Sequence, residues 1–197
     1  IGCGTGGMTK YLEKFGTVIG IESNPVVIKL SRRRGVLLRN ASANNLPFDD
    51  QSFDLVTIFD VLYHKGVNEK EVLSEAYRVL KPGGRLLVTD CAVPWLWSEH
   101  DKHMDAKWRF TKGQLTGFMR AAGFSFRKSS YIFVSTFPLF VASRLFSRIS
   151  KPRQSVSSVH PLINRLLLYI ISLEARLFAY VSYPFGSSVI ILAYKAR

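Results

Sequence analysis

Four of the first seven residues, Ile1-Gly2-Cys3-Gly4-Thr5-Gly6-Gly7, are glycine. Backbone without Cβ atoms lets peptide N–H groups approach a ligand that a side chain would hold off. The spacing fits Gly-x-Gly-x-x-Gly through Gly2, Gly4 and Gly7, and equally Gly-x-Gly-x-Gly through Gly2, Gly4 and Gly6. Downstream, the apolar run Val18-Ile19-Gly20-Ile21 ends in Glu22. A carboxylate at such a strand tip can accept two hydrogen bonds from a ribose diol, so the pair points to a nucleotide-type ligand. A second group of residues suits proton transfer: His64, just after the strand tip at Asp60, and His100, Asp101 and His103 in a Trp-rich stretch. Trp95, Trp97 and Trp108 either line an apolar acceptor pocket or pack as an ordinary lid.

These residues need elements to position them, and strands alternate with helices along the chain, the pattern of an α/β layered fold. Residues 18–22 read as a strand. Asn24-Pro25 then opens a helix, a capping residue followed by proline at the first helical position. That helix closes near Arg32-Arg33-Arg34-Gly35, where the arginines complement the helix dipole or bind phosphate. Residues 36–38 form the next strand, and residues 53–59 a buried one ending at Asp60. Asn68 and Glu71 form a capping box for a helix reaching Leu80. Lys81-Pro82-Gly83-Gly84 reads as a turn before a strand over residues 85–89 that ends at Asp90. Residues 94–110 read as irregular. Thr111 and Gln114 cap a further helix closed by Gly123. Two late strands follow, over residues 124–134 and 189–194. Between them, residues 137–149 and 162–181 have helical periodicity.

The composition is that of a reduced, globular chain: 197 residues, 47% hydrophobic, with two cysteines that have neither disulfide nor metal spacing. This suits a cytoplasmic location and no metal centre. The net charge is +13. Residues 131–197 hold eight basic side chains against the single acid Glu174. Such an excess favours anionic partners. Arg144, Arg148 and Lys151, at i, i+4 and i+7, make a basic stripe that predicts peripheral contact with the inner face of an anionic membrane. The alternative is that both helices cap a substrate pocket. Residues 162–181 approach the length of a membrane span, but Arg165, Glu174 and Arg176 exclude one. Nucleic acid is disfavoured, because the tail's aromatics lie on apolar helix faces rather than among basic residues on a sheet.

Read together, several segments resemble the class I S-adenosylmethionine-dependent methyltransferases of the type 11 domain group. They are Ile1-Gly-Cys-Gly-Thr-Gly6, Gly20-Ile-Glu22, Asn45-Leu-Pro-Phe48, Phe53-Asp-Leu-Val56, Phe59-Asp-Val-Leu-Tyr-His64, Glu75-x-x-Arg78-Val-Leu-Lys-Pro-Gly-Gly84 and Ala122-Gly-Phe124. The resemblance implies a Rossmann-like, doubly wound, mostly parallel sheet with an antiparallel last strand in a three-layer αβα arrangement. It implies a methyltransferase core over residues 1–134, a helical extension over 135–188 and the last strand over 189–197. It also implies S-adenosylmethionine as cofactor. Gly2, Cys3, Gly4 and Gly6 would lie under the methionine part, Glu22 and Ser23 at the ribose, and Ser42, Ala43 and Asn44 beside adenine. Asp60 would lie near the amino-acid end or the sulfonium. The catalytic candidates are His64, His100 and Asp101, and the acceptor is a small-molecule or lipid-like compound.

The sequence departs from the pattern twice. The acid that usually precedes the glycine loop would stand before Ile1, so the loop reads as the end of a strand that begins earlier. Ser42 stands where an acid is common, with Asn44 as its nearest substitute. The tail, with Trp97-Ser-x-His100-Asp101, Arg109-Phe-Thr111 and Pro184-Phe-Gly-Ser-Ser188, resembles a bacterial methyltransferase subgroup carrying a hydrophobic extension. Two other readings share the glycine loop: a nicotinamide-dependent oxidoreductase, which the Leu46-Pro-Phe48 and Lys81-Pro-Gly-Gly84 segments oppose, and a non-enzymatic membrane- or RNA-associated module.

Overall fold

The computed structural model describes residues 1–149 and 160–197. Among these, six strands and seven α-helices alternate in the order α1 (Gly7–Leu12), β1 (Gly20–Glu22), α2 (Pro25–Arg33), β2 (Leu38–Asn40), β3 (Phe53–Phe59), α3 (Glu69–Val79), β4 (Leu80–Cys91), α4 (Glu99–His103), α5 (Lys112–Ala121), β5 (Ser125–Ile132), α6 (Phe137–Ile149), α7 (Pro161–Phe178) and β6 (Ser188–Tyr194). Local chemistry sets several helix starts. Asn24 Oδ1 accepts from the Val26 and Val27 amides ahead of Pro25, and Asn68 Oδ1 accepts from Lys70 and Glu71. Thr111 and Gln114 close the expected capping box of α5.

The sheet is mostly parallel. β1 pairs with β2 and β3 with β4 in parallel, while β6 lies antiparallel between β4 and β5. Residues 1–3 join the two halves: the Cys3 amide donates to Ile21 O at 2.8 Å, and the Ile1 nitrogen donates to Thr57 O at 2.8 Å. With helices on the sheet this is the expected three-layer αβα fold. Helices α6 and α7 enter between β5 and β6, so β6 arrives from the end of the chain into the middle of the sheet. The core is built from strand residues such as Ile58, Leu86, Val88, Val189 and Ile191 against Val72, Leu73 and Ala76 of α3 and Leu115 and Met119 of α5.

Three expectations need correction. The second strand lies at Leu38–Asn40 rather than residues 36–38. Val36 is instead buried against the glycine loop, where a Cβ on Gly6 would lie 2.7 Å from Val36 Cγ2. Residues 81–84 are not a turn before the strand but part of β4, which pairs Phe53 with Leu80 and then shifts register to pair Leu55 with Arg85. Backbone bonds between Gly83 and Lys195 and between Lys195 and Gly84 hold this irregular start in place. The stretch 94–110 contains the short helix α4, opened by a Ser98–Asp101 capping box.

A cavity of about 370 Å³ lies between β1 and β3, lined among others by Phe15, Val18, Ile21, Phe53 and Val56. Its lining includes residues 15–19 and 53–57, at the starts of the strands. Ligand chemistry in open α/β sheets belongs at the opposite, carboxyl ends, where the glycine loop lies.

Candidate active site

At the carboxyl end of the sheet, Gly2, Gly4 and Gly6 all have positive φ, at 66°, 52° and 82°. Only two are enforced by packing: a Cβ on Gly2 would lie 2.4 Å from Val61 Cγ2, and one on Gly6 would strike Val36. Gly4 is different, because a Cβ there would meet nothing within 4 Å. Its bare backbone borders open space. Glu22, at the tip of β1, braces this opening. Its Oε2 accepts from the Gly4 amide at 3.0 Å, and its Oε1 from the amides of Ser23 and Asn24 at 2.9 and 3.0 Å. Ser31 Oγ donates to Gly4 O from below. An ionised carboxylate has about four acceptor sites, so these three bonds leave capacity for a ribose hydroxyl. The open cradle and the carboxylate beside it fit an adenosyl ligand. Cys3 is a free thiol. Burial, and then the nearby Glu22 charge, push its pKa up.

The loop carrying Ser42, Ala43 and Asn44 follows β2. The Asn44 amide donates to Ser42 Oγ at 3.2 Å. Asn44 does not face outward as a substitute for the missing acid. Its Nδ2 donates to Gly66 O at 3.2 Å and its Oδ1 accepts from the Asn68 amide at 3.0 Å, so its side chain ties this loop to the start of α3. Just beyond, the Arg78 guanidinium donates to Leu46 O and Phe48 O and pairs with Glu75 and Asp50, which fixes the Leu46-Pro47-Phe48 segment.

The tips of β3 and β4 bring Asp60, Asp90 and Cys91 together, with ligating atoms within 4.8 Å of one another. Asp60 has φ 54°, rare for a residue with a Cβ, and its side chain reaches the surface. Surrounding protein raises its pKa, while the His64 charge opposes that rise. Asp90 is fully buried and accepts from the Leu62 and Cys91 amides at 2.9 and 2.8 Å. Burial, reinforced by Asp60, pushes its pKa up to about 8. Asp90 is therefore largely protonated near neutrality. The same burial pushes the Cys91 thiol up to about 12, so neither cysteine is a ready nucleophile. His64 is half-buried, its ring 4.1 Å from that of Tyr63. Sequence reading placed Asp90 at a strand end without assigning it a role. The available signal was that β3 and β4 are parallel neighbours ending in acids, which must then meet.

Asp101 is not placed for proton transfer. It is 3% exposed; its Oδ1 accepts from Arg109 Nη2 at 2.6 Å and its Oδ2 from the Ser98 amide and hydroxyl, both at 2.9 Å. Burial alone would raise its carboxyl, but the Arg109 bond and charge outweigh it and hold the pKa below the usual range. Arg109, 4% exposed, also donates to Ala92 O. Arg144 of α6 joins from the extension, donating to Ser98 Oγ and lying 3.9 Å from Asp101 Oδ2, with Phe140 beneath both guanidinium groups. So Arg144 does not belong to an outward basic stripe. The Arg148 side chain and Lys151 lie outside the described residues. His100 and His103 are exposed on α4, with His103 Nδ1 2.7 Å from Glu99 O. Trp97 packs on the core, while Trp95 and Trp108 are 57% and 44% exposed.

Residues 1–88 match the family described as a methyltransferase domain. The chain is 36% identical over 115 residues to the demethylmenaquinone methyltransferase of Lactiplantibacillus plantarum, covering 48% of each chain. It is 38% identical over 97 residues to the phthiotriol/phenolphthiotriol dimycocerosates methyltransferase 1 of Mycobacterium ulcerans, covering 46% of this chain and 35% of that one. The chain thus spans about half or less of these relatives' lengths. Among solved structures, a SAM-dependent methyltransferase from Thermotoga maritima superposes with a TM-score of 0.63 at 25% identity, over 99% of this chain and 79% of that one. The geranyl diphosphate C-methyltransferase of Streptomyces coelicolor shares the fold, with a TM-score of 0.66 at 17% identity over 99% and 72% of the two chains. These matches favour an S-adenosylmethionine-dependent methyltransferase over the nicotinamide alternative: residues 1–88 match the methyltransferase domain, and the fold is that of the class I S-adenosylmethionine-dependent methyltransferases.

Proposed function

We propose that this chain transfers a methyl group from S-adenosylmethionine to a small-molecule or lipid-like acceptor. The observation that carries the reading is the open backbone at Gly4 braced by the Glu22 carboxylate. The cofactor supplies a methyl group on a sulfonium already activated for in-line displacement. The protein's part is to orient the reactants and keep water out. In this reading Gly2, Cys3, Gly4 and Gly6 form the floor of the site. Glu22 and Ser23 receive the ribose hydroxyls, and Ser42, Ala43 and Asn44 border adenine. The exposed carboxylate of Asp60 complements positive charge at the reacting end. An oxygen or carbon acceptor must lose a proton, and His64, held on Tyr63 within the field of Asp60, takes it. Exposed His100 on α4 is the alternative base.

The relatives named for demethylmenaquinone and phthiotriol dimycocerosates support an apolar acceptor. The free cysteines and basic surface support a cytoplasmic chain that meets such an acceptor at the inner membrane face. Titration calorimetry with S-adenosylhomocysteine and with NAD tests the cofactor assignment: the thioether binds and NAD does not. Binding of NAD alone would end this reading. Glu22→Ala is expected to weaken S-adenosylhomocysteine binding by about 1–3 kcal/mol, the usual value of hydrogen bonds to a charged group. An unchanged Kd, with the circular dichroism spectrum intact, would contradict the ribose role.

A further inference from the structure

Helix α7 divides its circumference in three. Leu167, Ile170, Ile171, Glu174 and Phe178 are half-buried. On that face Glu174 accepts from the Val134 and Ser135 amides and the Ser135 hydroxyl, which pins the helix to the β5–α6 connection. A second exposed side holds Asn164 and Ser172 with Leu168 between them. The remaining face is apolar and uncovered: Leu162, Leu166, Tyr169, Leu173, Leu177 and Tyr180 are 71%, 58%, 62%, 39%, 56% and 89% exposed. The first five, within α7, are spaced by three or four residues and so lie on one line along the helix, and Tyr180 follows just past its end. Arg165 and Arg176 are exposed along the edge of this line. No residue of this 18-residue helix is buried.

We propose that this face of α7 docks on an anionic lipid surface, lying in the interface with its leucines among the upper acyl chains. Two observations select that occupant. The first is charge. Arg165 and Arg176 flank the stripe, and Glu174, the sole acid in residues 131–197, is spent on the opposite face. A second copy docked through the same face would bring the same arginines and its own net positive charge against it, with no acid on that face to meet them. Anionic headgroups are complementary to both arginines. The second is the chemistry of the exposed side chains. Tyr169 brings the amphipathic ring that favours the headgroup boundary to a face otherwise made of leucines, which favour the acyl chains. Among the described residues no helix is long and apolar enough to cross a membrane, so α7 rests on the surface rather than spanning it. The surface differs from the one expected of Arg144, which is turned into the protein.

The proposal does not depend on the methyl-transfer reading, and its test is read separately. Vesicles of phosphatidylcholine with about one-third phosphatidylglycerol are sedimented with the chain, at low and at high salt. The wild-type chain is expected to partition at least ~10-fold more strongly onto these than onto pure phosphatidylcholine, and to lose most of that preference in high salt. The exposed pair Leu166→Glu and Leu177→Glu is expected to reduce partitioning ~10-fold or more while leaving the circular dichroism spectrum and S-adenosylhomocysteine binding unchanged. Arg165→Gln with Arg176→Gln should act specifically on the anionic preference. Equal partitioning of wild type and the Leu→Glu pair would overturn the proposal. So would equal binding to neutral and anionic vesicles. A dimer in sedimentation equilibrium that the same pair dissolves, with no vesicle binding, would assign the face to a second copy instead.

Discussion

Asp101→Ala is expected to lower the unfolding free energy by roughly 3–5 kcal/mol, the cost of removing one partner from a buried ion pair. The side chains of Asp101 and Arg109 are 4% and 3% exposed, so solvent cannot take over from either partner. Without the carboxylate, Arg109 would stay buried beside Arg144 with no compensating charge. The loss is also wider than one ion pair. Asp101 caps α4 through Ser98, and Ser98 receives Arg144 from α6, so one substitution loosens the insert and the extension together. Urea denaturation followed by Trp fluorescence measures the effect, and a loss below about 1 kcal/mol would refute the clamp. The double variant Asp101→Leu with Arg109→Met should recover much of the stability, because a buried pair exchanged whole for apolar side chains is often neutral. Residual methylation by Asp101→Ala, measured well below its melting temperature, would agree with a positioning residue.

The second large effect is a pH dependence set by Asp90. Its carboxyl titrates at about 8 in the fold, against about 3.9 in an unfolded chain. Between those values the unfolded chain has lost this proton and the fold has kept it, so stability falls as pH rises and levels off above about 8. The slope from this group is at most about 1.4 kcal/mol per pH unit. Glu75, Asp101 and Glu174 act in the opposite sense. Their folded pKa values are lowered, so they withdraw stability only as pH falls through the acid range below about 4. Asp90→Asn should flatten the melting temperature between pH 5 and 8. It is expected to be less stable than wild type at pH 5, since the Leu62 and Cys91 N–H groups bond to separate carboxyl oxygens and Asn replaces one of these with an NH2 that only donates, with the gap narrowing toward pH 8. Parallel melting curves for both proteins across that range would show that Asp90 is ionised throughout.

What the sequence disclosed follows from how local each determinant is. The starts of α2, α3 and α5 were legible because a cap needs only a side chain and the amides two or three residues on. Strand β3 was read to the residue because its apolar run is bounded by acids. Strand β2 was misplaced because Arg39 and Asn40 carry no strand signature; they pair through their backbone with Ile21 and Glu22, which only the neighbouring strand can specify. The start of β4 was hidden because Pro82, Gly83 and Gly84 speak for a turn, while their partner Lys195 lies at the far end of the chain. At the site, the glycine loop and Glu22 were legible as a contiguous pattern. The work of Asp101 was not, since it depends on Arg109 and on Arg144 from a separate helix. Arg144 was assigned outward from helical periodicity alone, which reports faces but not what lies opposite them.

The antiparallel strand β6 closes the sheet from within, between β4 and β5. During synthesis the ribosome delivers this ribbon after β4, β5 and both long helices, so β4 and β5 wait with unpaired edges until residues 188–194 emerge. A nascent chain stalled before that point carries two sticky flanks. Chaperone demand should therefore concentrate on the interval between the making of β5 and the arrival of β6.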